Sequence, residues 1–145
     1  VLIGNGDDSA NLKIYSEKKR FNNVWFYGAC YDEKELSSLI YNADLCVSPG
    51  NIGLTAIHSL VYGTPVITHN NFPYQGPEFE VIVENETGLF FEYNNIDSLA
   101  DKIEEWFDIS SIYSREEIAK KCFRVIDEKY NPHYQIEVLK QVLNK

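Results

Sequence analysis

The sequence predicts an α/β fold: a parallel sheet with helices on both faces. Three observations predict it. Short apolar runs alternate with helical segments of about ten to fifteen residues, the rhythm of βαβ units. The runs "LCVS" and "VIT" are compact and apolar, as in strands whose two faces are both covered. Several runs end at Gly or Pro, where a chain turns out of a strand.

"VLIGNG", residues 1–6, reads as a strand ending at Gly. Asp7 and Asp8 or Ser9 cap a helix running to about Arg20. "NVWFYG", 23–28, is the second strand. Asp32 caps "EKELSSLIYNA", 33–43, in which Leu36, Leu39 and Ile40 share one face. "DLCVSP", 44–49, is a strand and "IGLTAIHSLVYG", 52–63, a helix. "PVITH", 65–69, is a strand, followed by a loop, "NNFPYQGP", and a short helix, "EFEVIVEN", 78–85. Thr87-Gly88 turns the chain into the strand "LFFEY", and Asp97 opens the helix "SLADKIEEWFDI". Two further helices, 114–130 and 131–145, end the sequence with no strand between them. They cover the sheet or reach toward a neighbour. Ligands of such sheets sit at the carboxyl ends of the strands. Here those ends are Gly4 to Gly6, Gly28-Ala29, Pro49 to Asn51, and the loop His69 to Pro77.

Composition narrows the function. The chain has 145 residues, one domain's worth, and 44% are hydrophobic, enough for a core. Its net charge is −9. Nucleic acid needs a basic footprint, so it is excluded as a partner. Bulk charge also opposes docking on anionic lipid, leaving a peripheral association at most. Any phosphate must be held locally, by backbone N–H groups and helix ends. The three cysteines, Cys30, Cys46 and Cys122, form no C-x-x-C pair, which argues against zinc and redox motifs and fits a reducing, cytoplasmic compartment. No apolar run reaches the roughly eighteen residues of a membrane span. The sequence opens inside an apolar strand without Met, as a piece of a longer protein would.

The stretch "SPGNIGLTAIHSLVYGTPVIT", Ser48 to Thr68, carries the strongest chemical signal. Gly50 and Gly53 let backbone approach a ligand. Free amides at the start of the following helix suit a phosphate or diphosphate. A tight strand-to-helix turn with no ligand explains the same residues equally well. The stretch lacks the Gly-Lys-Ser/Thr of a nucleotide-hydrolysing loop. "GNGDDS" has two of the three glycines of a dinucleotide fingerprint and puts aspartates where phosphate would sit. His58 lies two turns beyond Gly50 and can both donate and accept, which suits a sugar hydroxyl; a half-buried helix histidine is the plainer reading. Glu78 and Glu80 read either as acids favoured by a helix N-terminus or as contacts to a ligand hydroxyl.

Taken together, "VLIGNG", "VWFYGACYDEKELSSLIYNADLCVSP", "GLTAIHSLVYGTPVI", "EFEVIVENETGLFF" and "DSLA" resemble, in the correct order, motifs of one family. It is the retaining glycosyltransferases of GT-B fold, in their C-terminal, donor-binding domain. The resemblance covers nearly all of residues 1–145. It implies a Rossmann-like three-layer sheet, the C-terminal half of a GT-B fold. This piece would lack the domain's first strand and helix, which carry a basic pair, and the acceptor-binding N-terminal domain.

The resemblance also implies roles. Backbone from Asn51 through Ile52 and Gly53 to Leu54 would hold the diphosphate of a UDP- or GDP-sugar, with no obligatory metal. The turn at Gly28 would lie near the nucleobase. Glu80 takes the acidic position before the Thr-Gly turn, with Glu78 close enough to leave the register open. Many members carry two glutamates with seven residues between them; here those positions hold Gly50 and His58. His58 would replace the ribose contact, and Gly50 would leave the sugar contact unfilled. The implied function is transfer of a hexose to a glycan or lipid-linked acceptor in surface polysaccharide synthesis, at the inner membrane face. The isolated piece would be inactive. A degenerate, non-catalytic nucleotide-sugar-binding module and a sugar-nucleotide epimerase of the same architecture are the alternatives.

Overall fold

The structure is a computed structural model that describes residues 1–144. Every predicted element has a counterpart, though the helix expected over 78–85 is not an α-helix, and the chain divides into two units, Val1–Leu39 and Ile40–Lys145. Lys145, which the sequence reading places at the end of the last helix, lies outside the described residues.

The first unit holds β1 (Leu2–Ile3), α1 (Ser9–Lys19), β2 (Phe26–Gly28) and most of α2 (Glu33–Tyr41). β1 and β2 pair in parallel. Asp8 stands at the N-cap of α1 but makes no side-chain cap bond, contrary to expectation. Arg20 ends that helix in the left-handed region, its amide reaching the carbonyls of Ser16 and Glu17. Asp32 caps α2 as the sequence predicts: its Oδ1 accepts the Glu35 amide at 2.9 Å.

The second unit holds β3 (Cys46–Val47), α3 (Thr55–Val61), β4 (Val66–His69), two 3₁₀ turns (Phe72–Tyr74 and Pro77–Val81) and β5 (Gly88–Phe91). Then come α4 (Ile96–Ser110), α5 (Arg115–Lys129) and α6 (Pro132–Leu143). β4 lies between β3 and β5, parallel to both. Its side chains alternate between faces, as strand geometry requires. Val66 joins a core with Ile52, Ala56 and Leu60 from the α3 side and Cys122 and Val125 from α5. Ile67 joins a second core with Leu89, Phe91 and Trp106. Trp106 comes from α4, so helices cover both faces of this sheet.

Four sequence expectations shift. β3 shrinks to two residues and is an edge strand, with Val47 exposed rather than covered. α3 begins at Thr55 instead of Ile52, because Gly53 has a φ of +49°, which no α-helix contains. The helix expected over 78–85 is a 3₁₀ turn ending at Val81. Gly88 belongs to β5, and Asn85, at φ +64°, makes the turn before it. A Cβ on Gly88 would run into the Val66 carbonyl, so the close β4–β5 approach requires glycine there.

Candidate functional site

The carboxyl ends of β3 and β4 meet at the turn Pro49–Leu54. Thr68 stands two residues after Val66 and so faces the α3 side of the sheet. Its hydroxyl donates to the Gly50 carbonyl at 3.2 Å. Gln75, just past the first 3₁₀ turn, reaches into the same corner. Its Nε2 donates to Thr68 Oγ1 at 2.9 Å and to the His69 carbonyl at 3.1 Å. Its Oε1 accepts the Ile52 amide at 3.0 Å. One side chain thus ties the turn to β4 and to the loop after it. Nothing in the sequence marks Gln75 out; its partners come from positions 52, 68 and 69.

Asn51 forms a second knot. Its Oδ1 accepts the Gly53 amide at 3.0 Å and the Gly76 amide at 3.3 Å. Two amides from different loops converge on one oxygen. The sequence reading expected free amides here. The structure corrects this: Ile52 N–H is taken by Gln75, and Gly53 N–H by Asn51. The next amides turn inward, Thr55 to the Ile52 carbonyl at 3.2 Å and Ala56 to the Gly53 carbonyl at 3.1 Å. Leu54, like Gly50 and Asn51, has an amide with no acceptor among the described residues. The physical reason is the left-handed Gly53, which lets the Asn51 side chain fold onto its own backbone two residues on.

The other predicted residues are placed as follows. Ile52 is buried in the core, so it contributes backbone only; the Leu54 side chain is exposed. His58 sits half-buried on α3 with its ring 5.3 Å from that of Tyr62. Gly28, in the first unit, ends β2 at φ +87°, its carbonyl accepting the Gly4 amide at 2.8 Å. Beside it in that unit, Tyr27 donates to Glu35 at 2.8 Å, and this bond pushes the phenol up to about 12.

Glu78 and Glu80 part company. Phe79 between them is fixed, stacked on Phe72 with ring centroids 4.4 Å apart and edge-on to Phe90. In a 3₁₀ turn successive side chains are about 120° apart, so the flanking acids diverge. Glu80 borders a depression of about 210 Å³ with Arg124, Glu128 and Tyr130. Its charge adds to the burial that raises the Tyr130 phenol. The Glu78 carboxylate folds back to Gly76: a Cβ placed there would collide with it and lie 3.9 Å from Asn51 Oδ1. Glu78 is therefore the acid that the fold brings to the Asn51 turn.

His69, given no partner by the sequence, points to the opposite face from Thr68. It is 1% exposed, its Nδ1 accepts the Asn71 amide at 3.2 Å, and Phe91 and Tyr93 meet it edge-on. Burial lowers its pKa. No helix among the described residues is long and apolar enough to cross a membrane.

Comparison with known proteins agrees with this architecture. The sequence profile described as "Glycosyl transferases group 1" matches residues 1–123. No curated protein matches the chain in sequence. Among solved structures, the lipopolysaccharide outer core galactosyltransferase WaaB in its apo form is similar, with a TM-score of 0.69 at 19% identity. The match covers 96% of this chain and 40% of that one. At that identity the likeness is one of fold, and the fold is GT-B.

Proposed function

The chain belongs to the group 1 glycosyl transferases, and on that premise we propose that it holds the nucleotide-sugar donor for retaining transfer of a hexose to a glycan acceptor. The observation that carries this reading is the turn at Gly50 to Leu54. It lies at the carboxyl ends of β3 and β4, where open α/β sheets bind ligands, and it is braced from behind by Gln75 and Thr68. The Leu54 amide offers a donor to the diphosphate of a UDP- or GDP-sugar. The Gly53 amide becomes a second donor when Asn51 rotates away. Electrostatic stabilisation of the departing diphosphate is the largest service such a site performs. His58 on α3 offers an imidazole to a ribose hydroxyl; Gly28, in the first unit, is nominated for the base by the family resemblance alone. Glu80, which the resemblance also nominates, is the weaker candidate given where its carboxylate lies. The acceptor, a growing glycan or its lipid-linked form in surface polysaccharide synthesis, would be presented by another part of the protein at the cytoplasmic membrane face.

A specific observation favours a second reading. The amides of Ile52 and Gly53 already have acceptors, and the two glutamate positions hold Gly50 and His58. A non-catalytic module that binds nucleotide sugar would tolerate both. One experiment separates the readings. Full-length protein is titrated with UDP, GDP and ADP and followed by thermal unfolding; a ligand of the folded state raises apparent stability. One clear responder, together with donor-dependent sugar transfer, supports the transferase. A responder without transfer supports the module. Conversion of the nucleotide sugar with no acceptor present would instead identify an epimerase. No responder refutes donor binding.

A further inference from the structure

The corner where the Asn51 turn meets the Gly76 loop has a chemistry of its own. Its two N–H donors, from Gly53 and Gly76, are spent on Asn51 Oδ1. What it offers a ligand is an acceptor, the Glu78 carboxylate, which shares with Asn51 Oδ1 the space within 4 Å of where a side chain on Gly76 would begin. A phosphate has acceptors only and would meet a carboxylate of like charge. A hydroxyl can donate to it, and so matches a lone carboxylate acceptor.

The corner is also built to hold position. Stacking on Phe72 fixes Phe79, and that fixes the direction in which Glu78 leaves the chain. Gly76 leaves open the space that the carboxylate enters; any side chain there would close it. Gln75 anchors the adjacent residue through three hydrogen bonds.

We propose that Glu78 is a specificity-determining residue that accepts a hydrogen bond from a hydroxyl of the donor's sugar. This rests on the donor-binding reading above. It assigns the sugar end of the donor to the Asn51–Glu78 corner and leaves the diphosphate to the Leu54 side of the same turn. Hydrogen bonds to a charged acceptor are the stronger kind, so loss of this one is readable in binding.

The test uses full-length protein, wild type and the variants E78A, E78Q and E80A. Each is titrated by calorimetry with UDP, GDP and ADP, and with the glucose conjugate of each. E78A is expected to weaken the sugar nucleotide about tenfold or more while changing the parent diphosphate less than about twofold. E78Q falls between, because a carboxamide still accepts. E80A leaves both affinities unchanged. Equal weakening of sugar nucleotide and diphosphate by E78A overturns the proposal, since Glu78 would then only shape the loop. A sugar-specific loss in E80A and not in E78A overturns it as well. If wild type binds a diphosphate and E78A has no sugar-specific effect, the donor reading survives and this proposal does not. If wild type binds none of the six, both fall.

Discussion

Replacing Gln75 by Ala should loosen the whole donor-side corner. The side chain makes three hydrogen bonds, to Ile52 N, Thr68 Oγ1 and the His69 carbonyl, at 2.9 to 3.1 Å. A net value of about 1 kcal/mol each gives roughly 3 kcal/mol as the ceiling. The site is half-buried, so water re-satisfies some of these groups in the variant. About 2 kcal/mol is the expected cost. For a chain of this size that is a fall of about 8 °C in Tm, taking about 4 °C per kcal/mol. The assay is urea unfolding followed by fluorescence of Trp106, which is 2% exposed in the second core. Hydrogen exchange at the Ile52 amide supplies a local readout and should speed up in the variant before global unfolding. Gln75→Glu is a sharper probe. It keeps an acceptor for Ile52 but loses both Nε2 donors and sets a carboxylate against the His69 carbonyl, so it should cost at least as much as Ala. If Gln75→Ala costs less than about 0.5 kcal/mol, with Ile52 exchange unchanged, then the turn is not held by Gln75 and the bracing argument fails.

Three further outcomes follow from the same geometry. Gly63→Ala should destabilise by about 3 kcal/mol or more, combining a φ of +75° with a Cβ 2.7 Å from that of Ala119 on α5; a loss under about 1 kcal/mol in chemical denaturation would contradict the tight α3–α5 contact. Burial holds His69 below its usual 6.5, so the unfolded chain binds the proton more readily there. Its stabilising contribution is complete above pH 6.5 and lost as pH falls toward the lower folded value; unfolding midpoints measured across this range should drop on acidification, and His69→Gln should flatten the profile. Cys122 is fully buried, and burial pushes its thiol up to about 12, while burial also raises Cys46. Maleimide should therefore label half-exposed Cys30 in the native protein and reach Cys122 only on unfolding; rapid native labelling of Cys122 would show that α5 opens.

The sequence by itself determined the order of elements, the parallel sense of the strands and the family. These depend on local pattern. An apolar run bounded by Gly, an Asp32 cap, and Ser114 paired with Glu117 around the start of α5 each act within a few residues. The chemistry of the candidate site was legible only in part. Gly50 to Leu54 stood out because glycines next to a strand end have few other uses. The state of the Ile52 amide was not legible, because it depends on Gln75, 23 residues on. The directions of Glu78 and Glu80 were equally hidden. Both precede the same Thr-Gly turn, and two residues of spacing carry no direction until the local helix type is known. Tertiary structure set these directions: with Phe79 stacked on Phe72 in a 3₁₀ turn, Glu78 lies toward Asn51 and Glu80 toward Tyr130. Sequence pattern specifies which face of an element is buried; the partner of a single polar group is set by the packing of the segments that carry it.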